Sequence, residues 1–277
     1  MLYKILTNVS NPTRNILTYK YFIFSCQFSW YSDPPFWNFL SDKKCGNSDY
    51  IERIDLMECF LEVFDKNRIE ALTADREFIG KEWLSWLRTN QIRYVFRVRE
   101  NRQYISNARG KMVKIQELFR PLAIGSHVSL SQRRIGTKGE IFNVVGIRNK
   151  KSELAVLIHS DEIKNPAEIY AQRWQIETMF KAFKSAGFNC EATHITNDLR
   201  LDTLMQILSI AFCLAYQTGE IIVLDKPIVI KKHGYRQNSI FRVGLDTLVN
   251  ILYNISTQLV RWIQLLSLIF QYPKMIK

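Results

Sequence analysis

Apolar residues at Ile51, Ile54, Met57, Leu61 and Phe64 recur every three or four positions and follow Asn47, Ser48 and Asp49, residue types that cap helices. The spacing predicts a helix over 51–64. A short apolar run over 69–74 ends at Asp75 and leads into a second helical pattern carrying Trp83, Leu84, Trp86 and Leu87. From Ile92 to Val98 the period drops to two, with Ile92, Tyr94, Phe96 and Val98 set against Arg93, Arg97 and Arg99, which predicts a strand with a cationic face. A helix, strand, helix, strand order argues for a layered α/β core.

The pattern then changes. Val128 to Leu130, Ile141 to Ile147 and Leu154 to His159 are short and β-rich, split by the turns GTKGE and RNKKSE, and read as an antiparallel β insertion over about 100–160. Pro166 opens a helix and Gly187 closes it. Inside it, YAQRWQIETMFKAFK carries Tyr170, Arg173, Glu177, Lys181 and Lys184 at steps of three, four, four and three, so all five fall on one stripe at helical period. Ile169, Ile176, Phe180 and Phe183 form an apolar stripe beside it. A further helix is expected over 199–216; its most apolar part, 204–216, is interrupted by Gln206 and reads as a buried helix too short to span a bilayer. The last helical segments run over about 245–270.

Composition narrows the classes. With 277 residues, 47% of them hydrophobic, the chain can bury a substantial core. Its net charge is +12, and all of that excess sits between Arg88 and Lys151, where 15 Lys and Arg face three acids, Glu100, Glu117 and Glu140; elsewhere 23 bases meet 23 acids. So local a surplus is hard to ascribe to generic solubility and suits a surface that lies along a phosphate backbone; the alternative is a solvated basic face with no partner. Because it falls largely on strands and turns, a membrane-surface protein built on a cationic amphipathic helix is excluded, and no membrane partner is expected. The cysteines at 26, 45, 59, 190 and 213 are widely spaced and read as small core residues of a reducing cytosol. The four histidines show no metal-ligand spacing, and no signal peptide is expected.

Two acids stand out. Asp75 follows an apolar strand, at the carboxyl edge where open α/β sheets place catalytic groups. Glu177 stands in the charged stripe, four residues from both Arg173 and Lys181. Carboxylates converging from separate elements are what a two-metal phosphoryl-transfer site requires, with cations nearby to hold DNA phosphates. Spacing alone leaves another reading open: Asp75 caps the next helix, and Glu177 pairs with Arg173 and Lys181 at about 0.2–0.5 kcal/mol per pair.

The pattern Y-x2-R-x3-E-x6-K, with Tyr170, Arg173, Glu177 and Lys184, resembles the signature of insertion-sequence transposases with a DDE catalytic triad, in particular the insertion-sequence-four group. ADREFIGKEW over 74–83, PPFWNFL with KCGNSD over 34–49, and KKHGYRQNSIFRVGL over 231–245 accompany it in the order that family has them. The resemblance covers about 34–251.

It implies a ribonuclease-H-like mixed sheet flanked by helices, a β-rich insertion before the Glu177 helix and a helical C-terminal part. The organisation expected is a divergent segment over 1–33, a DDE transposase domain over 34–251 and a helical tail over 252–277. Asp75 would be the second acid of the triad and Glu177 the third. Together they would ligate Mg²⁺ or Mn²⁺, their carboxyl carbons within about 8 Å of each other if two ions lie about 4 Å apart. Tyr170, Arg173, Lys181 and Lys184 would grip double-stranded DNA at the transposon ends or target. The activity implied is metal-dependent cleavage and strand transfer in a bacterial cytoplasm, at the nucleoid, with a homodimer in a synaptic complex. The family's first acid lies on the first core strand, yet residues 1–32 contain no Asp or Glu. Asp33 precedes two prolines, which bias it towards a turn. A truncated or frame-damaged copy with impaired catalysis is therefore expected; the alternative is a DNA-binding remnant that occupies DNA or pairs with an intact transposase.

Overall fold

The structure, a computed structural model, describes residues 2–8, 20–28, 31–39, 49–100, 103–136, 140–195, 197–232, 234 and 236–275. The chain divides into two units, Met1–Cys26 with Phe36–Ile176 and Gln27–Pro35 with Glu177–Lys277.

The sheet runs in the order β3-β2-β1-β4-β5-β10-β9-β8-β6-β7. Its strands are β1 (Leu2–Asn8), β2 (Lys20–Phe28), β3 (Tyr31–Phe39), β4 (Leu72–Ala74), β5 (Tyr94–Val98), β6 (Tyr104–Ser106), β7 (Met112–Lys114), β8 (His127–Ile135), β9 (Glu140–Arg148) and β10 (Leu154–His159). β1 pairs antiparallel with β2 and parallel with β4, and β4 pairs parallel with β5, the ribonuclease-H-like mixed arrangement that the resemblance implies. Asp33 lies inside β3, the marginal strand, and not in a turn; a margin is where a sheet tolerates prolines.

Helix α1 (Tyr50–Val63) begins where the sequence indicated, and of the three candidate caps Asp49 is the one used. Its side chain accepts from the Glu52 N–H at 2.9 Å, and the Glu52 carboxylate accepts from the Asp49 N–H at 3.0 Å, a reciprocal pair that stabilises the helix start by about 1 kcal/mol. Leu56, Met57 and Phe60 are buried along one face. Helix α2 (Lys81–Thr89) buries Trp83, Leu84 and Leu87. β5 departs from the expected alternation: Tyr94, Val95 and Phe96 are all buried, as in a central strand covered on both faces. Arg93 does not face solvent as expected but donates to the Ile69 carbonyl at 2.8 Å.

The β-rich insertion continues the core sheet. β10 returns antiparallel along β5, Val156 opposite Val98 and Ile158 opposite Phe96, and β9 and β8 follow, with a bulge between Leu130 and Arg133. A single turn, α3 (Ile115–Leu118), precedes β8.

The helix expected over 166–187 is not continuous. α4 (Pro166–Ala171) ends in a tight turn, with the Gln172 and Arg173 N–H groups reaching back three residues to Ile169 and Tyr170 at 3.3 and 3.0 Å. α5 (Trp174–Lys181) follows, and Ala182–Ala186 then form one turn of π-helix. Each change of winding shifts the phase, so the single charged stripe drawn from a constant 3.6-residue period breaks into three pieces.

In the second unit Phe183, Phe188, Phe212 and Phe241 build an aromatic cluster, with Phe212 stacked on Phe241 at 5.1 Å and Phe183 edge-on to Phe212 at 5.9 Å. Phe212 belongs to α6 (Asp198–Asp225) and Phe241 to α7 (Ile240–Tyr253); α8 (Ile255–Met275) kinks at Gln258. α6 runs nine residues past the expected end at Tyr216, and Gly219 within that extension lies against α7: a Cβ there would run into the Ile240 carbonyl oxygen. Across the same contact a Cβ on Gly244 would run into the Ala215 carbonyl oxygen. The added length also corrects the expectation that this helix is too short to span a bilayer: by length and composition alone, Leu199–Asp225 suffices. Cys59 is exposed and Cys190 and Cys213 half-buried, so none of these three is the core residue expected.

Gly244→Ala is expected to lower the stability of the second unit by about 2–3 kcal/mol or more, since backbone cannot yield as a side chain can; thermal unfolding measures it. Glu220, on α6, has its carboxyl pushed up to about 7 by burial, and its Oε2 meets no hydrogen-bond partner. The neutral acid is the form that favours the fold. Its contribution is complete below the ordinary carboxyl value of 4.5 and is lost as pH rises through about 7. Glu220→Gln is expected to flatten the melting temperature across that window.

Candidate active site

β4 is three residues long and wholly buried, and it stops at Asp75. Asp75 does cap: its Oδ1 accepts from the Arg76 N–H at 3.0 Å, and its carbonyl accepts from Phe78 at 3.0 Å, closing the 3₁₀ turn Arg76–Phe78. The capping and catalytic readings are therefore compatible, because Oδ2 makes no hydrogen bond to a described residue. Below the turn, the buried Arg53 guanidinium lies 4.9 Å from the Phe78 ring centroid, its pKa brought down to about 10 by burial against the opposing charges of Asp49 and Glu52.

The Tyr170 hydroxyl donates to Asp75 Oδ1 at 3.5 Å, across 95 residues of chain. Burial pushes its pKa up to about 12; the negative charge of Asp75 acts the same way, while Arg173 and Arg97 oppose it. Tyr170 therefore keeps its proton and serves as a donor. Arg173, one turn on, places its guanidinium 5.6 Å from the centre of the Tyr170 ring.

The first unit thus brings together Asp75, Tyr170 and Arg173. Glu177 opens the second unit on α5, half-buried; Lys181 is exposed and Lys184 is half-buried in the π turn. π turns of this kind recur at functional positions. Among the described residues no three His, Cys, Asp or Glu gather to hold a metal ion. A half-buried carboxylate with one oxygen unengaged is nevertheless the hard donor that Mg²⁺ or Mn²⁺ takes, so Asp75 fits such an ion.

Strand register adds a residue that the sequence pattern did not single out. Ala74 pairs with Phe96, which sets Asp75 alongside Arg97. The alternation of β5 marked Arg97 as cationic, but only the pairing of β4 with β5 shows what it stands beside.

The basic segment is divided in use. Arg148 donates to three carbonyls, those of Leu122, Ser152 and Phe119, at 2.8, 3.1 and 3.1 Å. Arg88 pairs with Glu140 at 3.6 Å, donates to the Ile141 carbonyl and lies over the Phe142 ring, and Arg133 donates to the Asn107 carbonyl. These arginines fasten loops to strands. Arg109, Lys111, Lys114, Arg120, Lys150 and Lys151 are exposed.

A mixed sheet with an acid at the end of its central parallel strand, and a tyrosine from the helix after the last strand bonded to that acid, defines a ribonuclease-H-like α/β domain. Residues 47–214 match the Transposase DDE domain family, more than half of the chain, and the chain belongs to that family. No curated protein matches. Among solved structures, the chain is similar to a cryo-EM structure of a piggyBac transposase synaptic complex with hairpin DNA, with a TM-score of 0.49 and 13% identity over 88% of this chain and 50% of that one. This chain spans about half the length of that protein. The family generally uses divalent metal ions.

Arg148→Ala is expected to cost about 2–3 kcal/mol in chemical denaturation, because three carbonyls lose their donor, whereas Lys150→Ala and Lys151→Ala should leave stability unchanged.

Proposed function

We propose that this chain is a DDE transposase of a bacterial insertion sequence of the insertion-sequence-four group, which cuts DNA at transposon ends and joins it to a target, with catalysis impaired by the lack of a first acid. The observation that carries this reading is the contact of Tyr170 with Asp75: the first residue of the transposase signature touches the carboxylate that ends the central strand. Asp75 and Glu177 are the metal-holding acids, Glu177 following Tyr170 by seven positions across the tight turn that ends α4. Divalent ions, Mg²⁺ or Mn²⁺, supply when bound the Lewis acidity that activates water and offsets charge on the phosphodiester.

The chain's own groups orient and hold. The protonated Tyr170 hydroxyl fixes the Asp75 carboxylate through Oδ1 and leaves Oδ2 as the donor. Arg173, Lys181 and Lys184 bind phosphates of double-stranded DNA, as cations set among carboxylates do in this chemistry. The seat of action is the nucleoid, as a homodimer in a synaptic complex.

β1, the parallel neighbour of β4, reads LYKILTN and bears no acid, which supports the impairment. It also favours a second reading, a remnant that occupies DNA or pairs with an intact transposase without cutting.

Nicking of supercoiled plasmid with Mn²⁺, with Mn²⁺ binding followed by electron paramagnetic resonance, separates the two. Slow nicking is expected from the chain as it stands, lost in Asp75→Asn and Glu177→Gln, with weaker Mn²⁺ binding in each. DNA binding without nicking, and with Mn²⁺ affinity untouched by either substitution, would establish the remnant.

A further inference from the structure

Arg97 differs from the arginines of the basic segment that fasten loops to strands. Arg88, Arg93, Arg133 and Arg148 each give N–H groups to backbone carbonyls. The Arg97 guanidinium gives none to any described residue. Its Nε is buried without an acceptor, and Glu100 stands 3.7 Å from Nη2, an ion pair beyond hydrogen-bond reach. The side chain is only 30% exposed. A guanidinium has five N–H donors in a fixed fork, and buried donors without acceptors are rare enough that an absent ligand is the first explanation to seek.

Its surroundings indicate which ligand. The β4–β5 register sets Arg97 beside Asp75. The same side chain lines a cavity of about 620 Å³ whose walls include Glu100, Arg120, Arg148 and Ser152. Arg148 is saturated by its three carbonyls, but Arg120 is exposed and, like Arg97, makes no hydrogen bond through its side chain to a described residue. A planar fork with open donors, next to a carboxylate that fits a divalent ion, matches the non-bridging oxygens of a phosphodiester.

We propose that Arg97 is a phosphate-binding residue of the site, its guanidinium taking the DNA phosphate nearest Asp75, with the Arg120 rim of the cavity receiving the next part of the strand. This rests on the transposase reading above. Glu100 holds the guanidinium in place through charge alone, which leaves its N–H donors to the DNA.

The test is fluorescence anisotropy of a labelled DNA duplex with the full chain over a series of salt concentrations, alongside melting temperatures. Arg97→Ala is expected to weaken binding about tenfold or more and to reduce the slope of log affinity against log salt by about 0.9, the signature of one lost phosphate contact. Arg97→Lys is expected to keep the slope but recover only part of the affinity, since an ammonium lacks the fork. Arg97→Lys, which keeps a charge beside Glu100, should leave the melting temperature unchanged, and Arg97→Ala should lower it by no more than the loss of that one ion pair. Unchanged affinity and slope in Arg97→Ala would overturn the proposal and leave the transposase reading intact. A lowered melting temperature with an unchanged slope would make Arg97 a structural residue and overturn it equally. A native chain that fails to bind the duplex at all would remove both.

Discussion

The parallel pairing of β4 with β5 is the constraint on which the site depends. Three residues, Leu72, Thr73 and Ala74, lie level with Tyr94, Val95 and Phe96, and all six are buried. So short a strand has no slack: a slip of one residue would turn every side chain to the opposite face and bury Asp75. The register fixes where the acid emerges and which cation stands next to it, and β10 locks β5 from the other side. Tyr170 can then find Asp75 from a helix far along the chain.

Net charge proves a coarse guide to how the basic segment works. Its arginines are part scaffold and part surface, and the number of carbonyls each one meets separates the two roles. Arg148 ties the turn after α3 to the β9–β10 connection with three bonds from one side chain. The lysines and the exposed arginines carry the field that reaches solvent, where it acts on anions over about a Debye length, some 8–10 Å.

Much of this was legible in the sequence where the governing physics is local. The capping box of α1 depends on residues three apart, so Asp49 and Glu52 announce it. Asp75 was visible because an apolar run ended abruptly. Tyr170 and Arg173 were marked by spacing and by resemblance, and the structure joins Tyr170 to Asp75 and Arg173 to the Tyr170 ring. What escaped depends on distant partners. Constant helical period could not reveal the tight turn at Gln172–Arg173 or the π turn after Lys181, since both are choices among competing backbone hydrogen bonds. The run of α6 beyond Tyr216 shows only once α7 is seen packed against Gly219, and Arg97 gains its meaning only from a strand twenty residues earlier.

The return of β10 along β5 has a consequence for how such a chain can diversify. The two ends of the insertion, Val98 and Val156, are cross-strand partners. Everything between them departs from and comes back to one rung of the sheet, like a cassette between two fixed clips. Segments of quite different size could be exchanged there without moving Asp75, Tyr170 or Arg97, which separates the evolution of whatever the outer strands recognise from the chemistry of the centre.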